Sequence, residues 1–251
     1  MSSAVVSLEA IEPGILRVTM QDRVHHNSFS DELTLGLLEV FQQIETRPDA
    51  KAVILTGYDS YFATGGTREG LLSLHEEKGS FADTNLYRLA LDCPVPVIAA
   101  MQGHGIGGGF VMGLFADLVI LSRESVYTTN FMTYGFTPGM GATWIVPQKL
   151  GLTLGGEMLL LGRNYRGEEL KQRGVPFPVL PRTEVYPHAL EMARSLAEKP
   201  RIALVELKAQ LVGPLRERLP EVVRQEKAMH AATFHRPEVK ERIFSKLGGP
   251  E

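Results

Sequence analysis

Three successive glycines, Gly107, Gly108 and Gly109, separate an apolar run, Val97 to Ala100, from a second apolar stretch, Phe110 to Asp117. The first run has the length of a buried strand and the second that of a packed helix. Without β-carbons the turn admits a ligand close to the backbone, and the unpaired amides that open the following helix favour an anion or a developing oxyanion. The same glycines also suit tight packing of strand on helix. The spacing is not that of a phosphate loop or a dinucleotide fingerprint, because no basic or hydroxyl residue comes next and no well-placed acid lies about 20 positions on.

A second glycine pair, Gly65-Gly66, comes after the strand-like run Lys51 to Gly57 and the stretch Tyr58 to Thr64. Ligands in open α/β sheets collect at the carboxyl ends of strands, so the two turns can bring two N–H groups to one point. Titratable residues complete the inventory. Lys78 stands beside Gly79 in a polar segment, 68–81, that also carries Arg68 and His75. Tyr87 sits at helical spacing with Asn85 and Arg88, where a packing role competes with a chemical one. His230 lies among Val222, Val223, Glu226, Met229 and Phe234, with His235 close behind, a pattern usual for a packed histidine. His25 and His26 sit in a polar loop without a second ligand pair at metal spacing.

Those residues need elements to hold them. Residues 4–20 alternate around Pro13-Gly14 as a strand pair. Ser30 followed by Asp31 and Glu32 is an N-cap, and Leu33, Leu35, Leu37, Leu38, Val40, Phe41 and Ile44 supply the apolar positions of an amphipathic helix. Residues 84–92 read as a helix, and Tyr127 to Ala142 as an aromatic, glycine-punctuated cavity lining. Successive helices are expected over 150–161, 165–173 and 184–197. Beyond Lys199-Pro200 two more are expected, Ala203 to Leu219 and Glu221 to Phe234, divided by Pro220. The chain divides on this reading into a core, 1–199, and a C-terminal helical region, 200–251.

At 251 residues and 44% hydrophobic content the chain can bury one sizeable α/β core. A formal charge of −3 offers no long-range attraction to nucleic acid or an anionic membrane. The one cysteine, Cys93, excludes an internal disulfide framework and a metal site built on several thiolates, and fits a reducing cytoplasm. No signal-like leader and no membrane-length apolar run is present.

The pattern Phe62-Ala-Thr-Gly-Gly66, then Gly103-His-Gly-Ile-Gly-Gly108-Gly, then Tyr134-Gly-Phe-Thr-Pro-Gly139-Met-Gly141-Ala resembles the crotonase (enoyl-CoA hydratase/isomerase) superfamily over essentially the whole chain. The resemblance implies a spiral of ββα units, a C-terminal helical region that helps form a homotrimer, and an oxyanion hole for a thioester carbonyl from the amides of Gly66 and Gly108. It implies no cofactor and no metal. The positions that hold the two glutamates of hydratases carry Val111 and Phe131, which can neither give nor take a proton, so hydration has lost its acid–base groups. An apolar pocket with an oxyanion hole suits loss of CO₂ from a carboxylate vinylogous to the thioester.

The branch resembled is the decarboxylating enzymes of polyketide β-branching cassettes. It implies decarboxylation of a 3-methylglutaconyl-type thioester to a 3-methylcrotonyl-type thioester on the phosphopantetheine of an acyl carrier protein. Lys78 then orients the carboxylate or supplies a proton, and His230 donates a proton or polarises the donor. Val111, Phe131, Tyr87 and Tyr134 would line the acyl pocket. Arg68, Lys78, Arg163 and Arg166 are candidates for a basic mouth that meets the acidic carrier. The alternatives are a crotonase-type isomerase or hydratase acting on an acyl-CoA, and a non-catalytic RNA-binding role, against which the balanced charge speaks.

Overall fold

The computed structural model describes residues 5–77 and 85–247. The chain opens with the hairpin β1 (Val6–Glu12) and β2 (Ile15–Met20), which turns at Gly14 with φ +80°. Helix α1 (Asp31–Glu45) comes next, and the Ser30 hydroxyl accepts from the Leu33 amide at 3.2 Å as its N-cap. Three further passages then repeat one design. β3 (Ala52–Thr56), β5 (Val97–Met101) and β7 (Leu118–Ser122) run in one sheet. Each is succeeded by a short strand in a second sheet: β4 (Tyr61–Ala63), β6 (His104–Ile106) and β8 (Val126–Thr128).

The large sheet has the order β1-β2-β3-β5-β7-β10, with β10 at Val179–Leu180, and is parallel from β2 onward. The small sheet has the order β4-β6-β8-β9, with β9 at Tyr165–Arg166. One strand to each sheet per passage is the ββα spiral expected from the sequence. β3 and β5 are buried at every residue because both faces of the sheet are covered. Val53, Leu55, Val97, Ala99 and Met101 face the main core. Their neighbours Ile54, Ile98, Ala100 and Ile120 face Val185, Ala189 and Ala193 of α8 (Arg182–Ala197).

The helices depart from expectation in places. The polar segment after Gly66 forms α2 (Arg68–Glu77). Residues 86–88 make a 3-10 turn leading into α3 (Leu89–Asp92), and α4 (Gly108–Leu114) emerges from the glycine-rich turn. α5 (Ala142–Leu150) and α6 (Leu152–Leu161) meet at Gly151, so the helix expected over 150–161 begins at Leu152, and Leu150 ends its predecessor. α7 (Gly167–Gln172) is short.

The C-terminal region is corrected most. α9 (Arg201–Thr233) is one helix of 33 residues that passes through Pro214 and Pro220 without a break. An interior proline costs a helix about 3 kcal/mol, and here Leu219 and Val222 are buried on either side of Pro220. Tertiary packing overrides the local breaker. α10 (Pro237–Leu247) then folds back along α2. No helix of the described residues is long and apolar enough to cross a membrane.

Candidate active site

β4 pairs parallel to β6, with Tyr61 opposite His104 and Ala63 opposite Gly105. Both strands therefore end at the same edge, and each leads there into a glycine turn. This is why two turns more than forty residues apart in sequence meet. Gly65 has φ +80°, and a β-carbon there would come within 2.9 Å of the Ile106 carbonyl oxygen and 3.3 Å of the Gly108 nitrogen. A β-carbon on Gly109 would overlap the Ala63 carbonyl, so the second turn presses directly on the first.

The loop before α1 is sewn to the same place. Asn27 is fully buried, accepts from the Asp22 amide and donates to the carbonyls of Met20 and Phe62. The Phe29 amide donates to the Gly65 carbonyl at 2.6 Å.

Gly66 and Gly108 line one cavity of about 340 Å³. Gly108 is the first residue of α4, where amides have no acceptor within the helix. Among the described residues neither glycine amide donates to a turn, loop or cap carbonyl. The inner walls are apolar: Leu71, Phe131, Phe136 and Met140. Phe136 stacks on Tyr134 with ring centres 5.9 Å apart, and burial pushes the Tyr134 phenol up from its usual pKa. The rim is polar. His25, His26 and Glu69 are exposed there, and the His25 Nδ1 lies 2.9 Å from the buried Asp22 carboxylate. Arg68 also lines the cavity, with its guanidinium 4.9 Å from the Phe244 ring centre.

The other expected site residues divide. Phe131 and Tyr134 line the cavity with the two glycines. Val111 is fully buried one turn into α4, within the core and outside the cavity lining. Tyr87 is also buried outside the lining, against Phe115 at 5.6 Å. His230 stands one layer back: its Nδ1 is 3.0 Å from the Thr137 carbonyl, and its ring meets edge-on the Phe136 ring that walls the cavity, at 5.5 Å. Burial holds its pKa below the usual histidine value. Lys78 lies outside the described residues. Arg163 is paired with Glu169 and covers Tyr165, and Arg166 bonds the Glu124 carbonyl; neither lines the cavity.

Phe136 and Met140 line the cavity from the stretch Tyr127 to Ala142, as expected of that stretch, although neither was singled out within it. One contributor was missed. Glu226 is buried on α9, and its carboxylate accepts from the Gly141 amide and from the amide and hydroxyl of Thr143. The only signal for it was an acid on an apolar helical face, beside the better-marked histidine.

The enoyl-CoA hydratase/isomerase family model matches residues 10–246. The chain is 64% identical over 248 residues to the bacillaene synthase decarboxylase PksI of Bacillus subtilis (strain 168), covering 99% of this chain and all of that one. It superposes with a TM-score of 0.97 on a structure solved for a dehydratase/decarboxylase enzyme couple involved in polyketide β-branching, 63% identical over 98% of this chain and 100% of the other. The ECH2 decarboxylase domain of CurF from Lyngbya majuscula matches at a TM-score of 0.93 and 42% identity, over 97% of this chain and 99% of that one.

Proposed function

The chain belongs to the enoyl-CoA hydratase/isomerase family and is a decarboxylase within it; we propose that its substrate is a 3-methylglutaconyl-type thioester carried on the phosphopantetheine of an acyl carrier protein. The bond from the γ-carbon to the carboxylate breaks, and CO₂ leaves. Its electron pair moves through the adjoining double bond onto the thioester oxygen, giving a dienolate. The amides of Gly66 and Gly108 hold that oxygen, and each such donor is worth about 3–4 kcal/mol to a developing oxyanion. A proton delivered to the γ-carbon then gives the 3-methylcrotonyl-type product.

The observation that carries this reading is the pairing of the two glycines with apolar inner walls, the lining carboxylate, Glu69, standing exposed at the rim. Phe131 and Phe136 cannot activate water, and a low-dielectric wall disfavours a localised carboxylate relative to a delocalised dienolate. Lys78 orients the departing carboxylate or returns the proton. A carbonyl only accepts, so the bond to Thr137 puts the proton of a neutral His230 on Nδ1. With Nε2 then an acceptor, His230 serves to hold the donor rather than to be it. Tyr134 shapes the acyl pocket, and Val111 and Tyr87 support it from behind.

Arg68 at the rim suits an acidic carrier domain, and the cytoplasm suits a partner of a polyketide assembly line. Exposed Leu207 and Leu211 on α9, beside an apolar groove of about 560 Å³, support a homotrimer. Mass spectrometry of carrier-bound 3-methylglutaconyl thioester should show loss of CO₂ with the wild type and a much slower loss with Lys78→Ala and with His230→Ala. Unchanged rates in both variants would remove those two residues from the mechanism. Water addition to a crotonyl thioester in place of CO₂ release would return the chain to the hydratases.

A further inference from the structure

The segment between Tyr134 and α5 carries two cavity walls, Phe136 and Met140, and is hydrogen-bonded to α9 on both sides of Met140. Thr233 is bonded to the Thr137 amide at 3.2 Å and to its hydroxyl at 3.0 Å, and His230 to its carbonyl. One turn earlier on α9, Glu226 meets the other end of the segment. Its carboxylate lies 2.6 Å from the Gly141 amide, 2.8 Å from the Thr143 amide and 2.6 Å from the Thr143 hydroxyl.

The pairing spans 85 residues of sequence, and Glu226 is 2% exposed. Among the described residues no lysine, arginine or histidine forms a salt bridge with Glu226. The positive partner is the amide end of α5, nine residues long, which Glu226 caps from another element.

Between the two grips lies Met140, with φ +63°, a left-handed conformation that costs an L-residue energy and persists only where its surroundings impose it. Its neighbour Gly141 is also left-handed, at φ +75°. The outcome of that bend is specific. It sets the Met140 side chain on Gly108, where a β-carbon would meet the Met140 sulfur at 3.0 Å and the Phe29 ring at 2.9 Å. Tyr87 buttresses the same bend from behind, since it packs on Phe115 and the tip of Phe115 lies where a β-carbon on Gly141 would be.

We infer that Glu226 is a positioning residue for the reaction: by fixing the amides of Gly141 and Thr143 it holds Met140 in the left-handed bend against Gly108, and so sets the acyl wall beside the oxyanion-binding amide. Methionine is the side chain that most easily repacks, having three rotatable bonds and no branching. The wall is therefore only as definite as the backbone that carries it. A glutamine at 226 cannot replace the carboxylate, because its amide nitrogen would face a backbone N–H and leave one buried donor without an acceptor.

The inference rests on the reading of Gly108 as an oxyanion donor for its catalytic part, and on the bend alone for its structural part. Glu226→Gln, Thr143→Ala, Met140→Gly and the Glu226→Gln/Met140→Gly double variant would be compared for kcat and KM with the carrier-bound thioester, for thermal melting, and for the Met140 resonance in protein carrying ¹³C-methyl methionine.

Glu226→Gln is expected to lower kcat by about 10- to 100-fold, the scale of a sub-ångström to ångström misplacement, with a smaller change in KM and a shifted or broadened Met140 methyl signal. In the Met140→Gly background, where no side chain remains to be placed, the same substitution should change kcat little. Thr143→Ala keeps both amide bonds and gives a milder loss in the same direction, which decides the matter should Glu226→Gln fail to fold.

A fall in melting temperature with kcat and the Met140 signal unchanged would overturn the inference, as would an equal loss of kcat in both backgrounds. A wild type that releases no CO₂ would instead refute the functional reading, and the Met140 signal would still judge the positioning role.

Discussion

His230 and Thr137 are joined by a 3.0 Å contact between the imidazole Nδ1 and a backbone carbonyl oxygen. That contact fixes the tautomer, and burial, the larger influence, keeps the ring neutral below the usual histidine pKa of 6.5. If neutral His230 is the working form, kcat stays level through pH 6.5 and declines only at more acid values. A pH profile of single-turnover CO₂ release checks this, and an acid limb centred at or above 6.5 would assign the titration to another group.

Stability should show two opposed slopes. Below about pH 6.5 the unfolded His230 takes a proton that the buried ring refuses, so its effect is to make stability fall as pH falls. Burial raises the Glu226 pKa above its ordinary 4.5, so the fold keeps a proton that the unfolded chain releases. The Glu226 contribution is full below 4.5 and is lost as pH rises through the raised value. Taken as the difference from wild type, the urea midpoint of His230→Gln should therefore fall with rising pH between 4.5 and 6.5, and that of Glu226→Gln should rise.

Adjacent glycines should fail in different ways. At Gly108 the atoms nearest an added methyl are the Phe29 ring edge and the end of Met140, side chains that can move. Gly108→Ala should fold with a small loss of stability and lose about 10²- to 10³-fold in kcat, as expected for a displaced oxyanion donor. At Gly109 the obstacle is the Ala63 backbone. Gly109→Ala should not accumulate as folded protein, and circular dichroism with a melting curve separates the two outcomes.

Far from the cavity, the Lys208 ammonium is bonded to Asp117 at 2.7 Å and to the carbonyls of Ala90 and Val95, and its side chain is 2% exposed. Lys208→Ala leaves the partly buried Asp117 carboxylate without its cation, held by the Val97 amide alone, at a cost of about 3 kcal/mol, the lower end for a broken buried pair. The melting temperature should drop sharply, while kcat of the protein that remains folded at low temperature should stay near the wild-type value. Equal loss of kcat would mean that α4 shifts with its C-terminal end.

Four strands of the large sheet were readable, because β3 and β5 are continuous apolar runs and the first hairpin turns at Pro13-Gly14; β7, which follows directly on the apolar stretch 110–117, and the two-residue β10 were not. The small sheet was not, since β4, β6 and β8 are three residues each and β9 two, too short for any period to appear. For the cavity, the glycine turns and the aromatic segment were legible from composition. The setting of His230 behind Phe136 and the reach of Glu226 to Gly141 were not, because both depend on α9 continuing through Pro220. A local rule that breaks the helix there detaches those residues from the wall they hold.

α9, about 50 Å long at 1.5 Å per residue, ties Lys208 to the rear of α4 and Glu226 to the bend at its front. The last fifth of the chain is thus masonry of the chamber into which the two glycine turns open. A chimera joined at residue 199 would inherit its chamber from two parents, and substrate range in such hybrids would follow the donor of the tail as much as the donor of the glycines.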